Sequence, residues 1–348
     1  MRLLMTGDTA GGVFTMVTQL ARGLDAKGCH VTVATFGPQP GELPKDIRWF
    51  HHTSKLEWQH EPWTEIEAAG EWLRSLVTRE QPELLHFNTL CHGDLKWGRP
   101  LVTTIHSCVP TWWSDVKQSA LPAEWERYRQ VVSKSLQAAS LLITPTRALL
   151  SSLEDAWPLD FKNALVIPNG VDPAHFHMAR KESFVLSAGR FWDEAKNLQA
   201  LQSVALSLEW PIYLAGEVDA KSNCRLLGQL KPDELARWYA RASIFLSTAK
   251  YEPFGLAVLE AAMSGCALVL SDIPSLRENW SGAALFFQPG QLDATLKELI
   301  RRPNLRAQFQ QQAFERSRQF TQSAMVSRYI AAYEQSASEH SRRYACAS

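Results

Sequence analysis

The chain has no C-x-x-C pair, no G-x-G-x-x-G, no Asp-x-Asp and no apolar run approaching a membrane-spanning helix. Each absence removes a class of function. Cys29, Cys91, Cys108, Cys224, Cys266 and Cys346 are scattered, which argues against a zinc ribbon, a redox motif or a disulfide framework and leaves six buried thiols as the reading. Met1 to Met5 is too short for a secretory h-region, so a cytoplasmic protein is expected. The charges give no excess of either sign, with 36 Lys plus Arg against 36 Asp plus Glu and no long block of one sign, so no nucleic-acid partner is indicated. What is present is 45% hydrophobic residues in 348. That supports packed cores, and it exceeds the roughly 250 to 300 residues at which single cores stop growing, so two domains are expected.

Short apolar strands alternate with helices along the chain. Arg2 to Thr6, Val31 to Phe36, Leu84 to Phe87, Leu101 to Ile105 and Leu141 to Thr144 read as strands, with a helix from Val13 to Lys27 completing a first βαβ unit. Val166-Ile167-Pro168-Asn169-Gly170-Val171-Asp172-Pro173 reads as a linker. The scheme then restarts with strands at Phe184 to Ala188, Pro211 to Ala215, Ile244 to Ser247 and Ala267 to Leu270, and from about Ala294 the pattern is helical only. The expected fold is α/β, with two Rossmann-like, doubly wound parallel-sheet domains.

The turn Gly7-Asp8-Thr9-Ala10-Gly11-Gly12 fails as a dinucleotide site, because its glycines are misplaced and the second strand ends in Ala34-Thr35-Phe36-Gly37 with no carboxylate for a ribose. It fails as a P-loop because Val13 and Phe14 stand where lysine and a hydroxyl are needed. Two readings remain: a loop whose backbone approaches an anion or sugar hydroxyl at a helix N-terminus, or a tight βα turn.

In the second half, Tyr251-Glu252-Pro253-Phe254-Gly255-Leu256-Ala257-Val258-Leu259-Glu260 places two carboxylates with seven residues between them. Pro253 suits a helix start, which puts Glu252 in the preceding loop, Glu260 about two turns in, and the N–H groups of Phe254, Gly255 and Leu256 at the positive end of the dipole. Taken alone, such glutamates also fit a solvated face. Upstream, Ser187-Ala188-Gly189-Arg190-Phe191-Trp192-Asp193-Glu194-Ala195-Lys196 is a strand end followed by two cations, in the position where open α/β sheets bind ligands. Arg190 and Lys196 suit a diphosphate clamp, or else are surface cations.

These segments, together with His106 after Leu101 to Ile105, Ile167 to Asp172 and Gly228-Gln229-Leu230, occur in one order across almost the whole chain and resemble the retaining GT-B glycosyltransferases, close to glycosyltransferase family 4. The resemblance implies an acceptor domain at 1–172, a nucleotide-sugar donor domain at 173–320, a C-terminal helix at 321–348 crossing back toward the first domain, and reaction in the cleft between the two. It implies Glu260 on the donor ribose, Glu252 and the Phe254 to Leu256 amides on the transferring sugar, Arg190 and Lys196 on the diphosphate, the backbone at Leu230 on the base, Gly11 and Gly12 near the ligand, and His106 against the sugar at a charged transition state. The donor is expected to be UDP-, GDP- or ADP-linked, with no resident cofactor and no metal. Transfer with retention by same-face displacement is expected, with an epimerase or phosphorylase on the same fold, or a silent sugar-nucleotide-binding subunit, as alternatives. Ser107 stands where many relatives have Asp, and His86 and Asn88 where many have a second histidine motif, a departure that bears on acceptor contacts.

Eight of thirteen tryptophans fall in the first 130 residues. Trp112 and Trp113, just beyond His106, are the most suggestive for stacking on an acceptor, although for any single tryptophan the packing reading leads, and Trp72 reads as core. His51-His52 and His175-Phe176-His177 lack a convergent carboxylate or cysteine and read as loop residues, not metal ligands. Residues 1–172 carry 16 Lys plus Arg against 19 Asp plus Glu, and Glu57 to Glu80 is acidic, so strong binding to anionic membranes is not expected unless Lys117, Arg127, Arg129 and Lys134 form a local basic face.

Overall fold

Every named strand pair is parallel, and the apolar runs that the sequence offers as strands become the centres of two sheets. The computed structural model describes residues 1–41, 43–218 and 222–345; Cys346 lies outside the described residues. The other five cysteines are free and buried.

Two compact units are present. The first comprises Met1–Ser114, Ser119–Gly170 and the C-terminal helix from Gln322; the second comprises Val171–Thr321 with Asp115–Gln118. In chain order the first half carries β1 (Arg2–Asp8), α1 (Gly12–Asp25), β2 (His30–Gly37), β3 (Arg48–Thr53), α2 (Trp63–Glu80), β4 (Leu84–Phe87), β5 (Leu101–Thr104), α3 (Val109–Lys117), α4 (Glu126–Ala138), β6 (Leu141–Thr144), α5 (Arg147–Ala156) and β7 (Ala164–Val166). Its sheet runs β3-β2-β1-β4-β5-β6-β7. The second carries β8 (Glu182–Ala188), α6 (Leu198–Ala205), β9 (Ile212–Ala215), β10 (Arg225–Gly228), α7 (Pro232–Arg241), β11 (Ala242–Ser247), α8 (Leu256–Met263), β12 (Ala267–Ser271), α9 (Pro274–Trp280), β13 (Leu285–Phe287), α10 (Leu292–Arg301) and α11 (Pro303–Ser317), with sheet order β10-β9-β8-β11-β12-β13. In both sheets the order reverses beside the first strand, between β1 and β4 and between β8 and β11. Those are the switch points at which loops from the strand C-termini diverge and leave a crevice.

Burial explains the choice of strand. β4, β5 and β6 are buried at every position, as central parallel strands covered on both faces must be. The last helix, α12 (Gln322–Ala345), lies on the first unit. Gly23 of α1 permits its close approach, since a Cβ there would stand 2.4 Å from Val326 Cγ2. Tyr329 and Tyr333 of α12 reach β5 and β4 respectively: Tyr329 Oη meets Thr104 Oγ1 at 3.1 Å and Tyr333 Oη meets His86 Nδ1 at 2.8 Å. Trp72 packs edge-on against Phe36 with ring centroids 5.5 Å apart, so it belongs to the core. Glu57 corrects the acidic-face reading: it precedes α2 rather than lying on it, and it is buried, its Oε1 accepting the Leu90 N–H at 3.1 Å.

Candidate functional site

At the β8/β11 switch point two loops are sewn together. The Thr248 hydroxyl donates to the Lys196 carbonyl at 2.9 Å, and the Lys250 N–H donates to the Ala195 carbonyl at 2.8 Å. The loop after β8 needs a bare backbone opposite it: a Cβ at Gly216, whose φ is +137°, would fall 1.9 Å from the Gly189 carbonyl oxygen. The outcome is an ion pair across the two loops, Lys196 Nζ to Glu252 Oε2 at 2.6 Å, with side chains 22% and 18% exposed. Such a pair is neither screened like a surface bridge nor sealed like a core one. It lines a small cavity with Ser187, Ser247, Thr248 and Ala257.

Glu252 and Lys196 are thus brought together. Ser275 donates to the Glu252 carbonyl at 2.5 Å and Asn279 to the Phe254 carbonyl at 3.2 Å, so α9 holds the loop in place. The helix start differs from the expectation at Pro253. Gly255 is the N-cap, in the left-handed region with φ 91°, and α8 begins at Leu256. The first intrahelical bond runs from the Leu259 N–H to the Gly255 carbonyl at 3.0 Å. The free amides at the positive end are therefore those of Gly255 to Val258, which include the expected Gly255 and Leu256, and Phe254 precedes them. The left-handed glycine shifts the start, because it turns the chain sharply after Phe254 is buried.

Glu260 sits one turn beyond Ala257 on α8. Burial pushes its carboxyl up to about 7, while the Tyr239 hydroxyl favours the ionised form. That hydroxyl is buried and makes no hydrogen bond of standard geometry. Arg190 lies over the Trp192 ring at 5.2 Å and faces Asp193 at 3.8 Å, within its own loop. Leu230 is half-buried and lines a separate groove along α7 with His177, Trp238 and Arg241, so its side chain is apart from the Lys196–Glu252 cavity.

In the first unit, Gly11 caps α1 with φ 89° and, like Gly12, is exposed; the Asp8 carboxylate accepts the Ala10 N–H at 2.9 Å, and Thr9 donates to the Pro38 carbonyl at 2.7 Å. His106 follows β5, and its Nε2 lies 2.9 Å from Asn88 Oδ1. Burial lowers it to about 4, so it is neutral near pH 7. His86, one strand over, is lowered to about 3 by burial first and by His106 second. Trp112 and Trp113 adjoin, with centroids 6.2 Å apart, and the Trp113 indole donates to Ser119 Oγ at 3.1 Å. Among the described residues no group of three or more His, Cys, Asp or Glu is placed to hold a metal, and no helix is long and apolar enough to cross a membrane. Tyr239, Thr248, Ser275, Asn279 and Thr6 carry no local sequence signal; their partners lie at least 21 residues away.

The family described as Glycosyltransferase Family 4 matches residues 10–175, and that described as Glycosyl transferases group 1 matches residues 207–316. The chain is thus similar to the family 4 glycosyltransferases in its first half and to the group 1 glycosyl transferases in its second. The matched segments of this GT-B chain hold His106 in one and Glu252 and Glu260 in the other. An O-antigen chain mannosyltransferase of Salmonella typhimurium is 22% identical over 217 residues, 57% of this chain and 59% of its own length, so the match spans little more than half of that protein. By structure, a sucrose-phosphate synthase from Thermosynechococcus elongatus aligns over 96% of this chain and 98% of its own, with TM-score 0.79 and 18% identity. The Anabaena protein HepE, solved with UDP and glucose, aligns over 96% and 99%, with TM-score 0.76 and 17% identity. These likenesses establish the fold.

Proposed function

We propose that this GT-B chain transfers a glycosyl group from a nucleotide sugar to an acceptor hydroxyl, with retention at the anomeric carbon. The observation that carries the reading is the Lys196–Glu252 pair at the switch point of the second sheet, beside the open first turn of α8. A half-buried ammonium and the open amides of the α8 start favour a diphosphate, and a carboxylate favours sugar hydroxyls. Glu260 accepts from the ribose, and Arg190 adds charge to the diphosphate. The base lies near Leu230. UDP and glucose in the HepE structure support a nucleotide-sugar donor.

The displacement is on one face. The C1–O bond to the leaving phosphate breaks, the acceptor oxygen bonds to C1 from the same side, and the acceptor proton passes to the phosphate. Positive charge builds on the sugar. A neutral His106 suits that state, since an imidazolium would repel it, and burial keeps the ring neutral. Lys196, Arg190 and the α8 amides carry the leaving charge without a metal.

The test is a panel of UDP-, GDP- and ADP-sugars. A true donor raises thermal stability by mass action, and the product's anomeric coupling by NMR shows retention. EDTA leaves turnover unchanged. Stabilisation by no member of the panel, or inverted product, refutes the reading.

A further inference from the structure

His106 is held by one neighbour, and that neighbour's chemistry dictates which ring nitrogen carries the proton. Asn88 follows β4 and is buried. Its Nδ2 donates to the Thr6 carbonyl at 2.9 Å, and its own N–H donates to Thr6 Oγ1 at 3.0 Å. A backbone carbonyl only accepts, so the amide cannot be turned the other way without opposing two acceptors. Oδ1 therefore faces His106 Nε2 at 2.9 Å, and Oδ1 only accepts. Nε2 must carry the hydrogen. In a neutral ring that leaves Nδ1 as a bare acceptor, and no described residue is hydrogen-bonded to it.

We propose that Asn88 is a positioning residue that locks His106 as the neutral Nε2–H tautomer, presenting a bare Nδ1 to the ligand side of the strand end. The inference deepens the glycosyl-transfer reading by assigning a tautomer to its histidine. Lone-pair density at Nδ1 faces positive charge on a sugar favourably, whereas Nδ1–H opposes it. The neighbouring titratable groups do not compete. His86 spends Nε2 on Thr104 and Nδ1 on Tyr333, and Tyr329 bonds the same Thr104 hydroxyl. The assignment makes Asn88 a device in its own right at the place where many relatives differ.

The test is long-range ¹⁵N–¹H NMR of ¹⁵N-histidine-labelled full-length protein, with His106 assigned by loss of its signals in His106→Gln. The wild type should show a fixed Nε2–H ring at pH 7.5. Asn88→Ala should move both nitrogens toward the averaged values of a free imidazole. Thr6→Val keeps the Thr6 carbonyl and should leave the tautomer unchanged. Asn88→Asp keeps an acceptor, so the tautomer should persist while the titration midpoint rises from about 4 by about one unit or more; this variant decides the matter if Asn88→Ala does not fold. An Nδ1–H or averaged ring in the wild type, or no change in Asn88→Ala together with no rise in Asn88→Asp, overturns the proposal. With a donor in hand, Asn88→Ala should lower kcat about tenfold or more at unchanged donor KM, the signature of a wrong tautomer. A pinned tautomer in a protein that transfers no sugar sinks the transfer reading and leaves the positioning of His106 standing.

Discussion

The two switch points sit at equivalent places in their sheets and are built on opposite principles. In the second unit the crevice is charged: Lys196 and Glu252 pair at 2.6 Å, with Arg190 in the same loop and Glu260 along the helix. In the first unit β1 ends in the Asp8 carboxylate, which caps its own turn, but the ends of β4 and β5 carry neutral groups: His106 bonds Asn88, and His86 bonds Thr104. On the proposed assignment, the charge of the second unit serves a ligand with fixed negative charge, and the neutral groups after β4 and β5 serve developing positive charge. Each half would lose its fitness if the other's chemistry were transplanted into it, because a cation at His106 and a neutral residue at Lys196 both oppose the field required.

The largest break in this contrast comes from the charged side. Lys196→Ala removes the ammonium and leaves Glu252 a half-buried carboxylate without its counter-ion. Turnover should fall by about 2 to 4 kcal/mol in kcat/KM, the loss expected for one preorganised charge-stabilising group, and Lys196→Arg should recover only part of it. Arg190→Ala should cost less than Lys196→Ala, since Arg190 is the more exposed of the two. Steady-state kinetics with the working donor measures both; a double variant with wild-type turnover removes the diphosphate assignment.

Glu260 sharpens the comparison through pH. Its folded value of about 7 lies above the ordinary 4.5, so between those limits the folded state holds a proton that the unfolded chain has lost. Stability therefore falls as pH rises through that window, by at most about 3 kcal/mol and by less because Glu260 keeps some contact with water. Glu260→Gln should thus stabilise the free protein at pH 8, with little effect at pH 4.5, while weakening nucleotide binding. Wild-type nucleotide affinity should rise with pH through 7, because ribose hydroxyls donate to the ionised form. Urea unfolding at the two pH values and calorimetry with free nucleotide read these effects; a variant that gains no stability at pH 8 shows that burial does not strain Glu260.

In the first unit the sign is reversed. His86 and His106 are lowered to about 3 and about 4 from 6.5, so in the window below 6.5 the unfolded chain binds protons that the folded unit refuses. Their stabilising contribution is complete above pH 6.5 and is lost as pH falls, by about 2 kcal/mol for each histidine between pH 6.5 and 5. Glu57, raised by burial, works the other way. Hydrogen exchange at pH 7.5 and 5 should show weaker protection of β4 and β5 at the lower pH, and His86→Gln should flatten that dependence. Undiminished protection in the wild type counts against neutral burial of the pair.

The centre of each sheet was legible in the sequence and the edges were not. All nine strands read from apolar runs are present, Leu84–Phe87 and Leu141–Thr144 at the residues expected. The four unanticipated ones, β3, β7, β10 and β13, are the outer strands of the two sheets. Edge strands are covered incompletely, so β3 tolerates Arg48, His51 and His52, β10 exposes Arg225 and Leu226, and neither produces an apolar run. β7 ends at Val166, a residue that reads as part of the linker. The site divides in the same way. Glu252, Glu260 and Lys196 announce themselves by charge beside a turn, whereas the groups that orient the site, Thr248, Ser275, Asn279 and Thr6, are ordinary polar residues whose partners are remote in the chain. The Pro253 signal for a helix start was overridden by Gly255, whose left-handed turn delays α8 to Leu256.

The smallest expected effect concerns lipid surfaces, and it asks whether the neutral character of the first unit extends to its exterior. Residues 1–172 carry 16 cations against 19 carboxylates, so a docking face would have to be local. α4 is the candidate, since it holds Arg127, Arg129 and Lys134. Arg127 is already engaged: its guanidinium pairs with Glu67 of α2 at 3.2 Å and lies 4.9 Å from the centre of the Trp63 ring. An exposed pair of this kind contributes at most about 1 kcal/mol to stability, yet the Glu67 carboxylate offsets the field that an anionic surface would feel. Surface binding needs several cations, each worth about 1 kcal/mol near the membrane, and the two others, Arg129 and Lys134, for which the described residues supply no carboxylate partner, do not by themselves reach stable attachment. Co-sedimentation with phosphatidylserine vesicles at physiological salt should leave the protein in the supernatant. Glu67→Gln should shift that partition only slightly, by freeing Arg127, and the shift should vanish at high salt. Strong pelleting of the wild type, reduced by Arg127→Ala, would place a basic docking face on α4 and confine the neutral design to the strand ends.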